Sequence, residues 1–138
     1  MSTAGEQTPP GPAGVSWTEE PVAVGLVGAG PWARTMHAQM LSQGPETRLA
    51  GIWARNRDAA EALARDVGTV AVGSHDELLD LCEAVDYAVP PNVQARLAAR
   101  AAQAGKALML EKPLGLDLDQ AQRLAEAVLT AAVPNILV

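Results

Sequence analysis

Beyond residue 20 the apolar positions follow two alternating rhythms. Short runs rich in β-branched residues read as buried strands: VAVGLVG (22–28), RLAGIW (48–53), TVAV (69–72), VDYAV (85–89), ALML (107–110) and NILV (135–138). Between them lie stretches with helical spacing, at 32–44, 56–68, 74–82, 92–105 and 117–130. Several helices carry their own boundary signals. Asn56 is placed to cap the second and Gly68 to end it; Ser74 and Glu77 have the spacing of a capping box; Asn92 is placed to cap the fourth and Gly105 to terminate it. In the fifth helix Leu118, Ala121, Ala125 and Val128 are expected on one buried stripe, with Leu124 beside them.

Strand–helix alternation of this kind builds a parallel sheet, because each crossover helix must bury its stripe on a sheet face. Right-handed crossovers then give an α/β, doubly wound, Rossmann-like fold, and the strand order expected is 3-2-1-4-5-6. The last run, NILV, would leave an apolar sheet edge in water, which favours further chain beyond it.

Composition narrows the picture. The chain has 138 residues, enough for one sizeable core. Residues 1–20, rich in Pro, Gly, Ser and Thr, read as a disordered leader, and residues 21–138 as a single dinucleotide-binding domain. A net charge of −6 argues against a nucleic-acid partner, which needs clustered Lys and Arg. Apolar runs fall well short of the roughly 20 residues of a membrane helix, and no signal-peptide pattern opens the chain, so a cytoplasmic protein with no membrane partner is expected. The single cysteine, Cys82, excludes an internal disulfide and reads as a small buried hydrophobe. His37 reads as a packed or hydrogen-bonded histidine and His75 as a solvated one; with one cysteine they make no metal site.

The chemistry concentrates at strand ends. Gly28-Ala29-Gly30-Pro31-Trp32-Ala33 is a G-x-G-x-x-A turn between the first strand and the first helix. Gly28 permits the tight turn, Gly30 lets backbone approach a pyrophosphate, and Ala33 is small enough for the helix to pack on the strand. Pro31 suits a first helical turn, whose N–H groups and dipole attract phosphate. Trp32 is placed to wall a cofactor or to pack on another domain. After the second strand, where an acid would hold the ribose hydroxyls of NAD, stands Ala54, followed by Arg55, Asn56 and Arg57. Two cations at a helix start oppose its dipole unless an anion joins them, so this trio points to NADP, with NAD the alternative. Two solvated arginines are the bland reading. On the far side of the switch point, Pro90 and Pro91 turn the chain outward, and Glu111, Lys112 and Pro113 end the fifth strand abruptly.

The glycine turn, the PPNVQ turn (90–94) and the EKP tripeptide (111–113), above all GKALMLEKPLGLDLDQAQRL (105–124), resemble the Gfo/Idh/MocA oxidoreductases over residues 21–138. The resemblance implies hydride transfer between NAD(P) and a sugar, polyol or related hydroxyl substrate. It implies that Lys112 lies near the nicotinamide and the reacting hydroxyl as the catalytic residue, that Glu111 positions Lys112 or contacts the cofactor ribose, and that Pro113 fixes the bend, a cis bond being open to it. Pro90, Pro91 and Gln94 would join the cofactor site; the family often carries His where Gln94 stands. It also implies a C-terminal α+β substrate domain that this chain lacks. A chain inactive by itself is therefore expected, with substrate binding only alongside the missing domain, and with self-association through the surface left bare. A non-catalytic nucleotide-binding or sensing module is the alternative. A methyltransferase is disfavoured by Ala54 and Arg55.

Overall fold

The computed structural model describes residues 20–138. The expected leader, Trp17 included, lies outside them up to residue 19. Five parallel strands, β1 (Val22–Val27), β2 (Thr47–Trp53), β3 (Ala84–Tyr87), β4 (Ala107–Leu110) and β5 (Asn135–Leu137), form one sheet in the order β2-β1-β3-β4-β5. The helices are α1 (Ala38–Gln43), α2 (Arg57–Val67), α3 (His75–Leu81), α4 (Pro91–Gln103) and α5 (Leu118–Ala131). No helix among the described residues is long and apolar enough to cross a membrane.

The expected doubly wound order is present, with one strand reduced. The run at 69–72 makes a single parallel bridge, Ala71 to Ile52, through the bonds Ile52 N to Val70 O (2.9 Å) and Val72 N to Ile52 O (3.0 Å). Squeezed between Gly68, which ends α2 with a φ of 75°, and the bend at Gly73, this outermost run is too short to extend the ladder. The chain thus turns one way from β1 to β2 and the other way from β2 to β3, which opens the switch point between the ends of β1 and β3.

Strand alternation divides the core between the two faces. Val85, Tyr87, Leu108 and Leu110 point to the face covered by α3, α4 and α5. Val24, Leu26 and Ile52 point to the face covered by α1 and α2, with Ala33, Leu41, Leu63 and Ala64. The expected caps on α2 and α3 are present: Asn56 accepts from Ala59 N (3.0 Å), and Ser74 accepts from Glu77 N (3.1 Å) while Glu77 reaches back to Gly73 N (2.9 Å).

Two helical details differ from the sequence reading. Helix α4 begins one residue before Asn92, with Pro91 in its first turn and Pro90 as its uncapped boundary; proline needs no N–H partner there, so Asn92 is not the cap. On α5 the buried stripe runs through Leu124 and Val128, with Ala127 and Ala131 packed beside them, whereas Leu118 is 72% exposed. At 3.6 residues per turn Leu118 lies roughly 120° around the helix from Leu124 and Ala125 roughly 100°, so neither can share its face.

Gly28 is the tightest point of the fold. Its φ is 122°, and a Cβ built there would sit 2.3 Å from the carbonyl oxygen of Ala88 at the end of β3. The close approach of β1 and β3 at the switch point therefore requires a residue without a side chain. Gly28→Ala is expected to cost more than about 2 kcal/mol in urea unfolding; a change below about 0.5 kcal/mol would contradict this packing.

Candidate functional site

Beyond Gly28 the chain passes Gly30 into a helix that Pro31 opens. A Cβ at Gly30 would meet nothing within 4 Å, so its backbone faces open space. The first N–H groups of a helix have no partner within it, and here they sit at the rim of that space. From Ala33 to His37 the helix widens into a π-helical segment, in which Ala38 N–H bonds the carbonyl of Ala33, and then continues as α1. Such a segment adds one residue to a turn and redirects the side chains that follow.

Alternation along two strands supplies the acids. In β3, Tyr87 and Val85 face α4, so Asp86 faces the first helix and is fully buried there. In β4, Leu108 and Leu110 face α4 and α5, so Glu111 points to the same side as Asp86. The His37 ring lies between them: Nδ1 is 2.7 Å from Asp86 Oδ2 and Nε2 is 3.1 Å from Glu111 Oε1. The Trp32 indole N–H donates to the same Glu111 oxygen (3.0 Å). His37 is 3% exposed, and its pKa is raised above the ordinary 6.5, chiefly by the bond to Asp86, against burial, with help from Glu111. The other Asp86 oxygen, Oδ1, is buried without a partner.

Gln94 of α4 holds the backbone of Glu111 from the opposite face. Its amide nitrogen donates to the Glu111 carbonyl (2.7 Å), and its amide oxygen accepts from Glu111 N–H (2.8 Å). Gln94 is 1% exposed, so it braces this strand end from inside and does not line the cleft as the sequence suggested. The Lys112–Pro113 peptide is cis.

These pieces meet in one cleft of ≈ 320 Å³. Gly30, Pro31, Trp32 and Ala33 line one wall, Ala88, Val89 and Pro90 the floor end, and Glu111 and Lys112 the other wall. Pro91 lies inside the first turn of α4 and is not among the lining residues. A second hollow of ≈ 310 Å³ opens at the end of β2, lined by Trp53, Ala54, Arg55, Arg57, Val72 and Gly73. Arg55 is exposed there; Arg57 is tied to Glu61 (2.9 Å), and Asn56 uses its side-chain oxygen to cap α2. The turn with no Cβ obstruction, the open helix start and the cationic second hollow together fit a dinucleotide.

Sequence reasoning missed the part played by His37 and Asp86. A signal was available: Asp86 is the lone charge in the apolar run VDYAV, and a buried acid demands a partner. His75, expected in solvent, is buried with Nε2 3.0 Å from the Tyr87 hydroxyl, which donates to the Leu97 carbonyl (3.1 Å). The first turn of α3 lies down on the sheet, so its ring is covered, and burial lowers its pKa. Cys82 is buried as expected, its thiol donating to Leu78 O (3.2 Å) and its pKa pushed up by burial. Among the described residues no group of three or more His, Cys, Asp or Glu side chains is arranged to hold a metal ion.

A family model described as "Oxidoreductase family, NAD-binding Rossmann fold" (Gfo/Idh/MocA) matches residues 22–134. Glucose-6-phosphate 3-dehydrogenase of Bacillus subtilis is 32% identical over 98 residues, covering 71% of this chain and 28% of the relative. A 3-ketoreductase from Actinomadura kijaniata, solved with NADP and TDP-benzene, superposes with a TM-score of 0.77 at 29% identity, covering 85% of this chain and 38% of that one. GenD2 of gentamicin A biosynthesis, solved with NAD, superposes at 0.79 and 29% identity, covering 88% and 35%. The chain spans about a third of the length of the curated relatives it matches.

The Gln94 brace generates a stability test. Gln94→Leu fills similar space but leaves the N–H and C=O of Glu111 without their partner, and is expected to cost about 2–3 kcal/mol in chemical unfolding; an unchanged midpoint would show that the brace carries little.

Proposed function

Because the chain belongs to the Gfo/Idh/MocA oxidoreductases through its NAD(P)-binding Rossmann domain, we propose that its cleft holds a dinucleotide, NADP in preference to NAD, for hydride transfer to or from a sugar, polyol or related hydroxyl compound. The observation that carries this reading is that the glycine turn and Lys112 line the same cleft. The dinucleotide, when bound, supplies or accepts the hydride. The chain's own residues bind and orient it: the open backbone at Gly30 and the helix start take the phosphates, and Trp32 walls the pocket. Lys112 is exposed at the opposite wall. Its ammonium can donate a hydrogen bond to a substrate oxygen and offset negative charge developing there. The sugar phosphate named for the Bacillus subtilis relative, glucose-6-phosphate 3-dehydrogenase, supports the hydroxyl-compound reading. These relatives extend well beyond the matched third of their length, and the substrate would be held with such further chain.

The preference for NADP rests on the second hollow, where no carboxylate lines the end of β2 and Arg55 is unobstructed. An arginine there offers a bidentate, charge-assisted contact to a 2′-phosphate. By fluorescence titration, NADPH is expected to bind the chain more tightly than NADH. Arg55→Ala should weaken NADPH by about tenfold, near 1.4 kcal/mol, and leave NADH unaffected. Tighter binding of NADH by the native chain would refute this use of Arg55. Self-association is also proposed, through the exposed Leu116, Leu118, Leu129 and Ile136; light scattering should show mass rising with concentration, and a monomer throughout would contradict it.

A further inference from the structure

We propose that His37 is a positioning residue of the cleft: anchored on Asp86, it holds the Glu111 carboxylate against Trp32 and so fixes the direction in which the chain delivers Lys112. This rests on the cofactor reading for its purpose but not for its geometry. Glu111 Oε1 accepts the indole proton of Trp32, because an indole N–H can only donate. The same oxygen faces His37 Nε2, so with Glu111 ionised that nitrogen carries a proton. On the other side, Nδ1 faces a fully buried carboxylate whose second oxygen has no partner at all. Among the groups facing His37, Asp86 from β3 and Glu111 from the end of β4 bear charge, and both are acids.

An imidazolium satisfies all of this at once: two N–H donors, two carboxylate acceptors, and one positive charge answering the buried Asp86. A neutral ring satisfies only one acceptor and leaves the other facing a lone pair. His37 is the last residue of the π-helical segment, and its ring sits between Asp86 of β3 and Glu111 at the end of β4. The tie reaches the cleft directly. Trp32 and Glu111 stand on its opposite walls, and Lys112 is the residue after Glu111.

The sign of the pH dependence follows from the raised pKa. The charged form is favoured in the folded state, so the tie is complete below the ordinary histidine value of 6.5 and is lost as pH rises through the higher folded value. Loss of the proton should therefore loosen the Glu111 carboxylate and its contact with Trp32, and shift Lys112 within the limits set by Gln94 and by the bond from Lys112 N–H to Val138 O (3.3 Å).

The test uses the whole chain labelled with ¹⁵N, in which only two histidines titrate. His75, whose pKa is lowered by burial, serves as the neutral reference. At pH 6, below the ordinary histidine value, both ring nitrogens of His37 are expected to be protonated, and the Trp32 indole and Lys112 amide signals should move with the His37 midpoint as the pH is raised through it. His37→Gln should remove that movement. Glu111→Gln, which keeps the His37–Asp86 pair, should uncouple Lys112 from the titration and serves if the first variant folds poorly. In parallel, the Kd for NADPH should rise about fivefold as the pH is raised through the His37 midpoint in the native chain, near 1 kcal/mol, and stay flat in His37→Gln. A singly protonated His37 at pH 6, or Trp32 and Lys112 signals indifferent to its titration, overturns the positioning role. If those signals track His37 but neither NADPH nor NADH binds at any pH, the positioning role stands and the cofactor reading fails.

Discussion

The site depends on how the end of β4 is held. The backbone of Glu111 is gripped by the Gln94 amide with bonds of 2.7 and 2.8 Å, and its carboxylate by Trp32 and His37 on the other face of the sheet. One residue is thereby pinned from both layers of a three-layer fold. A strand end in a doubly wound sheet would otherwise leave as an ordinary loop, free to sample many directions. Here its direction is set before Lys112 is reached.

The arrangement has an energetic cost that explains its composition. Asp86 is fully buried, and a buried carboxylate is tolerated only when paired and hydrogen-bonded. His37, the last residue of the π-helical segment, provides the pairing. The neighbouring constraint at Gly28 works in the same direction. With no side chain, it lets the carbonyl of Ala88 approach, which draws β1 and β3 together and sets the glycine turn opposite the β4 end. Tight packing at the switch point and a buried charge pair beside it are two parts of one construction.

Much of this was readable from sequence because it is local. The alternation of apolar runs and helical stretches fixed the α/β class, and Asn56, Ser74 and Gly68 marked helix ends through contacts within a few residues. The glycine turn and the EKP tripeptide pointed to strand ends that the doubly wound topology must bring to one side. What escaped was non-local or geometric. The His37–Asp86 contact spans 49 residues, and the π-helical segment that ends at His37 leaves no pattern in the sequence. Gln94, expected at the cofactor site, instead spends its amide on the backbone of Glu111, a contact across 17 residues. His75 follows a capping serine, which suggests water, yet the helix lies on the sheet and buries it. Leu118 shows the limit of reading a stripe from an approximate period, since an offset of roughly 120° from Leu124 carries its side chain off the buried face.

The central physical claim is that the glycine turn after β1 and the lysine after β4 serve a single dinucleotide-binding cleft. It is tested most directly by mapping backbone amide shifts of the ¹⁵N-labelled chain as NADPH is added. Saturable shifts with one common Kd at Gly30, Trp32 and Ala33 and at Glu111 and Lys112 are the expected result. Shifts confined to one wall, or scattered away from both, would contradict it.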